Sequence, residues 1–187
     1  CGSHPPYDIA SHHGLIKNDI DLSPLHNNCS GKHVGMLSLS KQLNSDPADY
    51  ISPEHPVQQA IFDQIKEFSK LEKLTTAIDG CSAPTPFLTL TIIADMFQQL
   101  ASGHDLVLDR LYDAMTHHPY LVGGNNRFDT DFLTAMNGRA VCKVGGEAIR
   151  GFGIRKKDGS VLGCAIKVLD GNMRALHSSS LAFLNEM

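Results

Sequence analysis

This chain is organised around nine residues of unusual chemical density, Leu25-His26-Asn27-Asn28-Cys29-Ser30-Gly31-Lys32-His33. They supply a thiol, an amine, two imidazoles, two amides and a hydroxyl, together with a glycine that lets the backbone turn tightly. Polar groups enclosed by a fold must find hydrogen-bond partners, so packing alone explains such a cluster poorly. Residues 34–43 follow with helical spacing of apolar positions. The cluster is therefore predicted to form a site at a loop-to-helix junction, where free backbone N–H groups add positive potential.

The composition of the whole chain is that of an ordinary globular protein. Of its 187 residues, 42% are hydrophobic and 19% are charged, which supports a packed core and argues against disorder. The formal net charge is -4 and the basic residues are scattered, so no nucleic-acid partner is expected. No apolar run approaches the ~20 residues that span a bilayer, so no membrane segment is expected.

The cysteines are odd in number and widely spaced: Cys1, Cys29, Cys81, Cys142 and Cys164. This spacing makes a poor disulfide framework and favours a reducing compartment. With no signal peptide in view, a cytoplasmic location is expected.

Periodicity predicts an α+β fold in a single domain spanning residues 1–187. Residues 1–138 are expected to form a mainly helical part, and residues 139–187 an antiparallel β-meander with a terminal helix. The expected helices are 8–17, 34–43, 52–70, 89–102, 105–117, 130–136 and 172–187. The expected strands are 75–78, 141–144, 148–154 and 161–169. Residues 79–86 form a rigid loop dense in glycine and proline, and residues 118–129 form another loop.

Two of the cysteines are candidate metal ligands. Cys29 lies three residues before Lys32, and Cys81 lies in the rigid loop at 79–86. Two thiolates, a nitrogen and a water would suit a tetrahedral zinc ion. Cys-x-x-Lys is not a standard zinc signature, so ordinary buried thiols are an equally open interpretation. A lysine ligand must also be neutral, which requires the metal or burial to lower its pKa.

Other charged residues allow both a structural and a functional interpretation. Lys143 sits on a predicted strand before Gly145-Gly146, either discouraging edge pairing or facing a substrate. Asp129 either caps the short helix at 130–136 or belongs to a charged group with Arg127 and Asp131. The Ser38-Leu39-Ser40-Lys41 match to Ser-x-x-Lys is rejected because no loop glycines or polar cluster surround it. No histidine pair supports a metalloprotease site.

Five blocks, in order, cover nearly the whole chain: Cys1-Gly2-x-His4-Pro5-Pro6, His26-Asn27-Asn28-Cys29-Ser30-Gly31-Lys32-His33, Asp79-Gly80-Cys81-x-Ala83-Pro84-Thr85, His118-Pro119-x-Leu121-Val122-Gly123-Gly124-x-x-Arg127-Phe128-Asp129-Thr130-Asp131 and Lys143-x-Gly145-Gly146-Glu147. Together they resemble the bacterial-type L-asparaginase II family, whose members have a serine β-lactamase-like fold. The resemblance implies that fold in incomplete form, and hydrolysis of the L-asparagine side-chain amide to aspartate and ammonia.

The resemblance also implies a zinc site whose protein ligands match Cys29, Lys32 and Cys81, with a water completing the shell. Asp79 matches an acid that holds this water. Lys143 matches the counterpart of the lysine in the β-lactamase Lys-Thr-Gly strand, which makes it the candidate catalytic residue. We expect it beside the Cys29–Lys32 loop, with its amine facing a cleft.

Two further residues of the matching blocks, His33 and Arg127, are expected to bind substrate or to support the ligands. A homodimer is left open.

The family's nucleophilic serine, its lysine and a second active serine lie upstream of the first block, so we expect residues 1–187 alone to be inactive. A competing hypothesis is a non-catalytic zinc-binding or amino-acid-binding protein derived from the same family. A penicillin-interactive protein is a weaker alternative because the blocks resemble asparaginases more closely.

Overall fold

The structure is a computed structural model that describes residues 1–186. These residues group into two compact units, Cys1–Phe87 and a second unit from Leu88 onward. They form eight α-helices, one short 3-10 helix and two small antiparallel sheets, so the predicted α+β class is confirmed. The β-lactamase-like relation and the single-domain organisation stay predictions. None of the described helices is both long and apolar enough to cross a membrane.

The first unit is helical apart from one small hairpin. Its elements are α1 (Ile9–Lys17), a 3-10 turn (Pro24–His26), α2 (Ser30–Gln42), α3 (Pro56–Ser69), β1 (Thr76–Ile78) and β2 (Pro84–Pro86). Strands β1 and β2 pair antiparallel. The buried core of this unit consists of Met36, Val57, Cys81 and Ala83. Cys29 packs against this core. Of the two candidate cysteine ligands, Cys81 therefore lies inside the core and Cys29 lies at its margin.

The second unit carries the predicted meander. Its elements are α4 (Leu90–Ala101), α5 (Leu106–His117), α6 (Pro119–Gly123), α7 (Phe128–Met136), β3 (Ala140–Gly145), β4 (Ile149–Arg155), β5 (Val161–Lys167) and α8 (Leu176–Asn185). The three strands are antiparallel in the order β3-β4-β5, which leaves β3 at an edge of this sheet. The predicted strands and the terminal helix are thus confirmed.

Helix α4 packs against this sheet where the strands carry glycines and no strand side chain separates the two. A Cβ atom on Gly151 would collide with the Phe97 ring, and one on Gly153 or Gly163 would collide with backbone carbonyl oxygens of α4. These glycines therefore allow the helix backbone to approach the strands closely. The buried core of this unit includes Tyr112, Leu133, Val141 and Phe152.

Two local predictions are wrong. Helix α3 begins at Pro56 and not near Ser52, because the Ser52 hydroxyl donates to Glu54 while the His55 ring accepts the Val57 N–H at 3.2 Å. Proline at the first helical position favours this later start. Part of the loop expected at 118–129 is helix α6, which likewise starts with a proline, Pro119.

Candidate metal centre

The first half of the centre is built where helix α2 begins. Cys29 is the residue that precedes the first helical position, and its backbone N–H donates to the Asn27 side-chain oxygen at 2.8 Å. The Asn27 amide donates to the Gly2 carbonyl at 2.8 Å. Lys32 follows in the first helical turn, so Cys29 and Lys32 are three residues apart and lie on neighbouring positions of the helix surface. The predicted loop-to-helix junction is confirmed.

The second half is the turn between β1 and β2. The Asp79 N–H donates to Ala83 at 2.9 Å, and the Ser82 N–H donates to the Asp79 carbonyl at 2.8 Å. Ser82 adopts a left-handed backbone angle of φ 72, which closes the turn. The Gly80 N–H fixes the Asp79 carboxylate with a bond of 2.7 Å to Oδ1. The turn thereby holds the Asp79 carboxylate beside the Cys81 thiol.

The two halves meet in one constellation. Possible ligand atoms of Cys29, Asp79 and Cys81 all lie within 4.8 Å of one another. The Cys81 thiol donates to Asp79 Oδ2 at 3.5 Å, and Lys32 Nζ donates to the same oxygen at 3.1 Å. Two sulfurs sharing a tetrahedral zinc ion lie about 3.5–4 Å apart because each Zn–S bond is about 2.3 Å. The donor set of thiols, an amine and a carboxylate fits a zinc ion.

The electrostatics of the centre favour protonated Cys29 and Lys32 side chains and an ionised Asp79. Burial and the neighbouring Cys81 raise the pKa of the Cys29 thiol. Burial by itself would lower the pKa of Lys32, but hydrogen bonds and charges of Cys81 and Asp79 outweigh it and raise that pKa. Burial acts to raise the pKa of Asp79, but the bonds from Lys32 and Gly80 outweigh it and lower that pKa. Without metal, the centre is a protonated amine paired with a carboxylate beside a protonated Cys29 thiol.

His33 lies next to the centre but inside the core. Its side chain is 3% exposed, and Nδ1 is hydrogen-bonded to the Tyr50 hydroxyl at 2.6 Å. Among the described residues, its Nε2 is the one buried side-chain nitrogen or oxygen without a hydrogen-bond partner. Burial lowers the pKa of this imidazole and so favours its neutral form. Its expected role toward substrate stays a prediction.

The other predicted site residues belong to the second unit. Arg127 precedes the first position of α7. Lys143 is exposed on the edge strand β3, and its amine donates to the Val144 carbonyl at 2.8 Å. The expected approach of Lys143 to the Cys29–Lys32 loop stays a prediction, as does the role of Arg127.

The structural interpretation of Asp129 as a helix cap is wrong. Asp129 lies in the first turn of α7, is 2% exposed and pairs with Arg150 at 3.0 Å. Arg150 and Tyr50 were not anticipated from the sequence. A lone tyrosine in a loop carries no signal. An arginine between Ile149 and Gly151 in a strand is the one available hint of a buried pair, and its partner Asp129 lies 21 residues earlier.

Comparison with known proteins assigns the chain to a family. No curated protein matches the chain. A family described as L-asparaginase II matches residues 1–187, the whole chain. The match includes the loop of Cys29 and Lys32, the turn of Asp79 and Cys81, and the strand of Lys143. The chain belongs to the L-asparaginase II family.

Proposed function

We propose that this chain is the zinc-holding part of an amidohydrolase that converts L-asparagine to L-aspartate and ammonia. The observation that carries the proposal is the meeting of Cys29, Asp79 and Cys81 within 4.8 Å, in a chain whose whole length matches the L-asparaginase II family. The match supports asparaginase chemistry, and the cluster supports a metal beside it.

Each residue of the cluster has a distinct task in this proposal. Cys29 and Cys81 hold the metal as thiolates, and Lys32 holds it as a neutral amine, so all three give up protons. Asp79 accepts a hydrogen bond from the protonated Lys32 amine in the metal-free chain and orients a water once Lys32 is engaged. When bound, zinc supplies a Lewis acid that polarises an amide oxygen. Lys143 stabilises charge developing on the acyl oxygen or takes part in proton transfer.

The affinity for zinc is expected to rise with pH. Zinc binds deprotonated ligands, whereas the raised pKa values of Cys29 and Lys32 keep both groups protonated in the metal-free chain. Each proton that binding releases changes the apparent affinity by about tenfold per pH unit, with weaker binding at lower pH. A competition titration against a chromophoric chelator between pH 6 and 8, with the chelator's own protonation subtracted, measures this slope.

A matched variant isolates the lysine. Lys32→Met removes one of the released protons and is expected to lower the slope by about one. Lys41→Met, on the exposed surface of the same helix, is the control and keeps the slope. An unchanged slope in Lys32→Met would rule out Lys32 as a ligand and leave Asp79 as the third protein donor.

The 187-residue chain alone is expected to bind L-asparagine without turning it over at an enzyme's rate. Hydrolysis in this family's manner needs an activated serine, and the chain's single Ser-x-x-Lys match, Ser38 and Lys41, is exposed on α2 away from the junction. Positioning and oxyanion donors without a nucleophile leave on the order of 10³-fold catalysis over water in serine hydrolases. Ammonia release, with and without zinc, measures turnover, and saturation-transfer NMR with L-asparagine measures binding.

The control is the same chain carrying Cys29→Ser. Robust ammonia release that Cys29→Ser reduces would reveal a nucleophile within residues 1–187, with Ser30 as the first candidate. Absence of both turnover and asparagine binding in the zinc-loaded chain would contradict the proposed function.

A further inference from the structure

The second unit contains a fully buried ion pair between Asp129 and Arg150. The two side chains are 2% and 1% exposed, and Arg150 Nε donates to Asp129 Oδ1 at 3.0 Å. Arg150 also donates to the Ser180 hydroxyl at 3.0 Å, and its guanidinium stacks 3.9 Å from the centroid of the Phe128 ring. A buried pair is weak evidence for stability because removing two charges from water is costly. Stability alone is therefore a weak explanation for this ion pair.

A more specific explanation lies in the second oxygen of the carboxylate. Asp129 Oδ2 accepts the backbone N–H of Val144 at 2.7 Å. Val144 follows Lys143 on the edge strand β3, and its carbonyl accepts the Lys143 amine at 2.8 Å. One residue thus links the two groups, since Asp129 holds its N–H and Lys143 holds its carbonyl. Arg150, fixed by Ser180 and Phe128, holds the carboxylate in turn.

We propose that Asp129 is a positioning residue for the amine of Lys143. A lysine placed on an edge strand only to discourage pairing needs an exposed charge and no fixed orientation. Here the amine bends back onto the carbonyl of Val144, the residue whose N–H is held by a buried, hydrogen-bonded carboxylate. The catalytic use of this orientation rests on the proposed function, whereas the orientation itself does not. Asp129 touches neither substrate nor zinc in this proposal and acts through Val144.

Two double variants of the whole chain separate positioning from stability. Asp129→Asn with Arg150→Met removes both charges but keeps a side-chain oxygen that can accept the Val144 N–H. Asp129→Leu with Arg150→Met removes the charges and the acceptor together. Neither variant leaves an unpaired buried charge. Asp131→Asn, an exposed carboxylate two residues further along α7, is the control.

Two readouts follow the proposed chain of contacts. Hydrogen exchange reports the Val144 amide. Reductive ¹³C-dimethylation keeps the lysine charge and gives each lysine an NMR signal. The Lys143 signal is the one that is absent from the spectrum of Lys143→Arg. In the Leu/Met variant (Asp129→Leu with Arg150→Met) we expect hydrogen exchange of the Val144 amide to accelerate by on the order of 100-fold. We also expect the chemical shift of the Lys143 signal to become that of the exposed Lys157. The Asn/Met variant (Asp129→Asn with Arg150→Met) and Asp131→Asn are expected to keep the wild-type Val144 exchange rate and the wild-type Lys143 chemical shift.

An identical Lys143 signal in the two double variants would overturn the proposal. Accelerated exchange across all β3 and β4 amides of the Leu/Met variant would also overturn it, because Asp129 would then stabilise the sheet as a whole. Neither readout uses asparagine turnover. A failed asparaginase assay would therefore leave this result standing, and a failure here would leave the asparaginase proposal untouched.

Discussion

Replacing Cys81 by serine is expected to lower the affinity of the chain for zinc by more than about 100-fold. Cys81 supplies one of two sulfurs in the candidate centre, and its sulfur lies within 4.8 Å of the Cys29 sulfur and the Asp79 carboxylate. Loss of a group that merely orients a metal ligand already costs about 10–100-fold in affinity, so loss of a ligand costs more. A chelator competition at fixed pH measures the dissociation constant.

The matched control is Cys164→Ala. Cys164 is also a buried free thiol, but it lies on β5 in the second unit and outside the cluster. This variant should bind zinc as the wild type does. If Cys81→Ser and Cys164→Ala had equal affinities, Cys81 would be the ordinary core thiol that its packing against Met36 and Val57 also allows.

The second large effect concerns folding. Asp129→Leu alone removes the carboxylate that pairs with the Arg150 guanidinium, and Arg150 is 1% exposed. Burial lowers the pKa of Arg150, yet arginine stays charged in proteins. The variant therefore cannot avoid the unpaired buried charge by releasing a proton from Arg150. Removing one partner of a buried pair costs about 3–5 kcal/mol in the free energy of unfolding. Urea unfolding followed by circular dichroism, with hydrogen exchange of the β4 amides, measures the loss.

The double variant Asp129→Leu with Arg150→Met provides the comparison. Replacing a buried pair by apolar side chains of similar volume is often neutral or stabilising, so most of the lost stability should return. Asp131→Asn should change the free energy of unfolding little, because that side chain is exposed. A single variant as stable as the wild type would mean that Arg150 finds another partner.

Local patterns allowed much of the fold to be predicted from the sequence. The helices expected at 8–17 and 105–117, the β-meander and the terminal helix depend on neighbours in the chain, and the structure confirms them as α1, α5, β3–β5 and α8. The error at α3 was also local, since two prolines three residues apart compete for the first helical position and the His55 cap favours the second of them.

The candidate site was less accessible from sequence. The meeting of Cys29 with Cys81 spans 52 positions, and the residues alone left ordinary buried thiols an equally open interpretation. The pairing of Lys32 with Asp79 and of Asp129 with Arg150 depends on tertiary contacts that periodicity does not encode. Asp129 shows the difficulty, because an aspartate near a helix start is a common cap, and only a buried arginine 21 residues later gives it another role.

X-ray absorption at the zinc edge of the loaded 187-residue chain tests the central claim most directly. The account predicts one zinc per chain with two sulfur neighbours at about 2.3 Å and nitrogen or oxygen neighbours at about 2.0–2.2 Å. One of the two sulfurs should disappear in Cys81→Ser. A zinc ion without sulfur neighbours, or a sulfur shell unchanged in Cys81→Ser, would contradict a metal centre built from Cys29, Lys32 and Cys81.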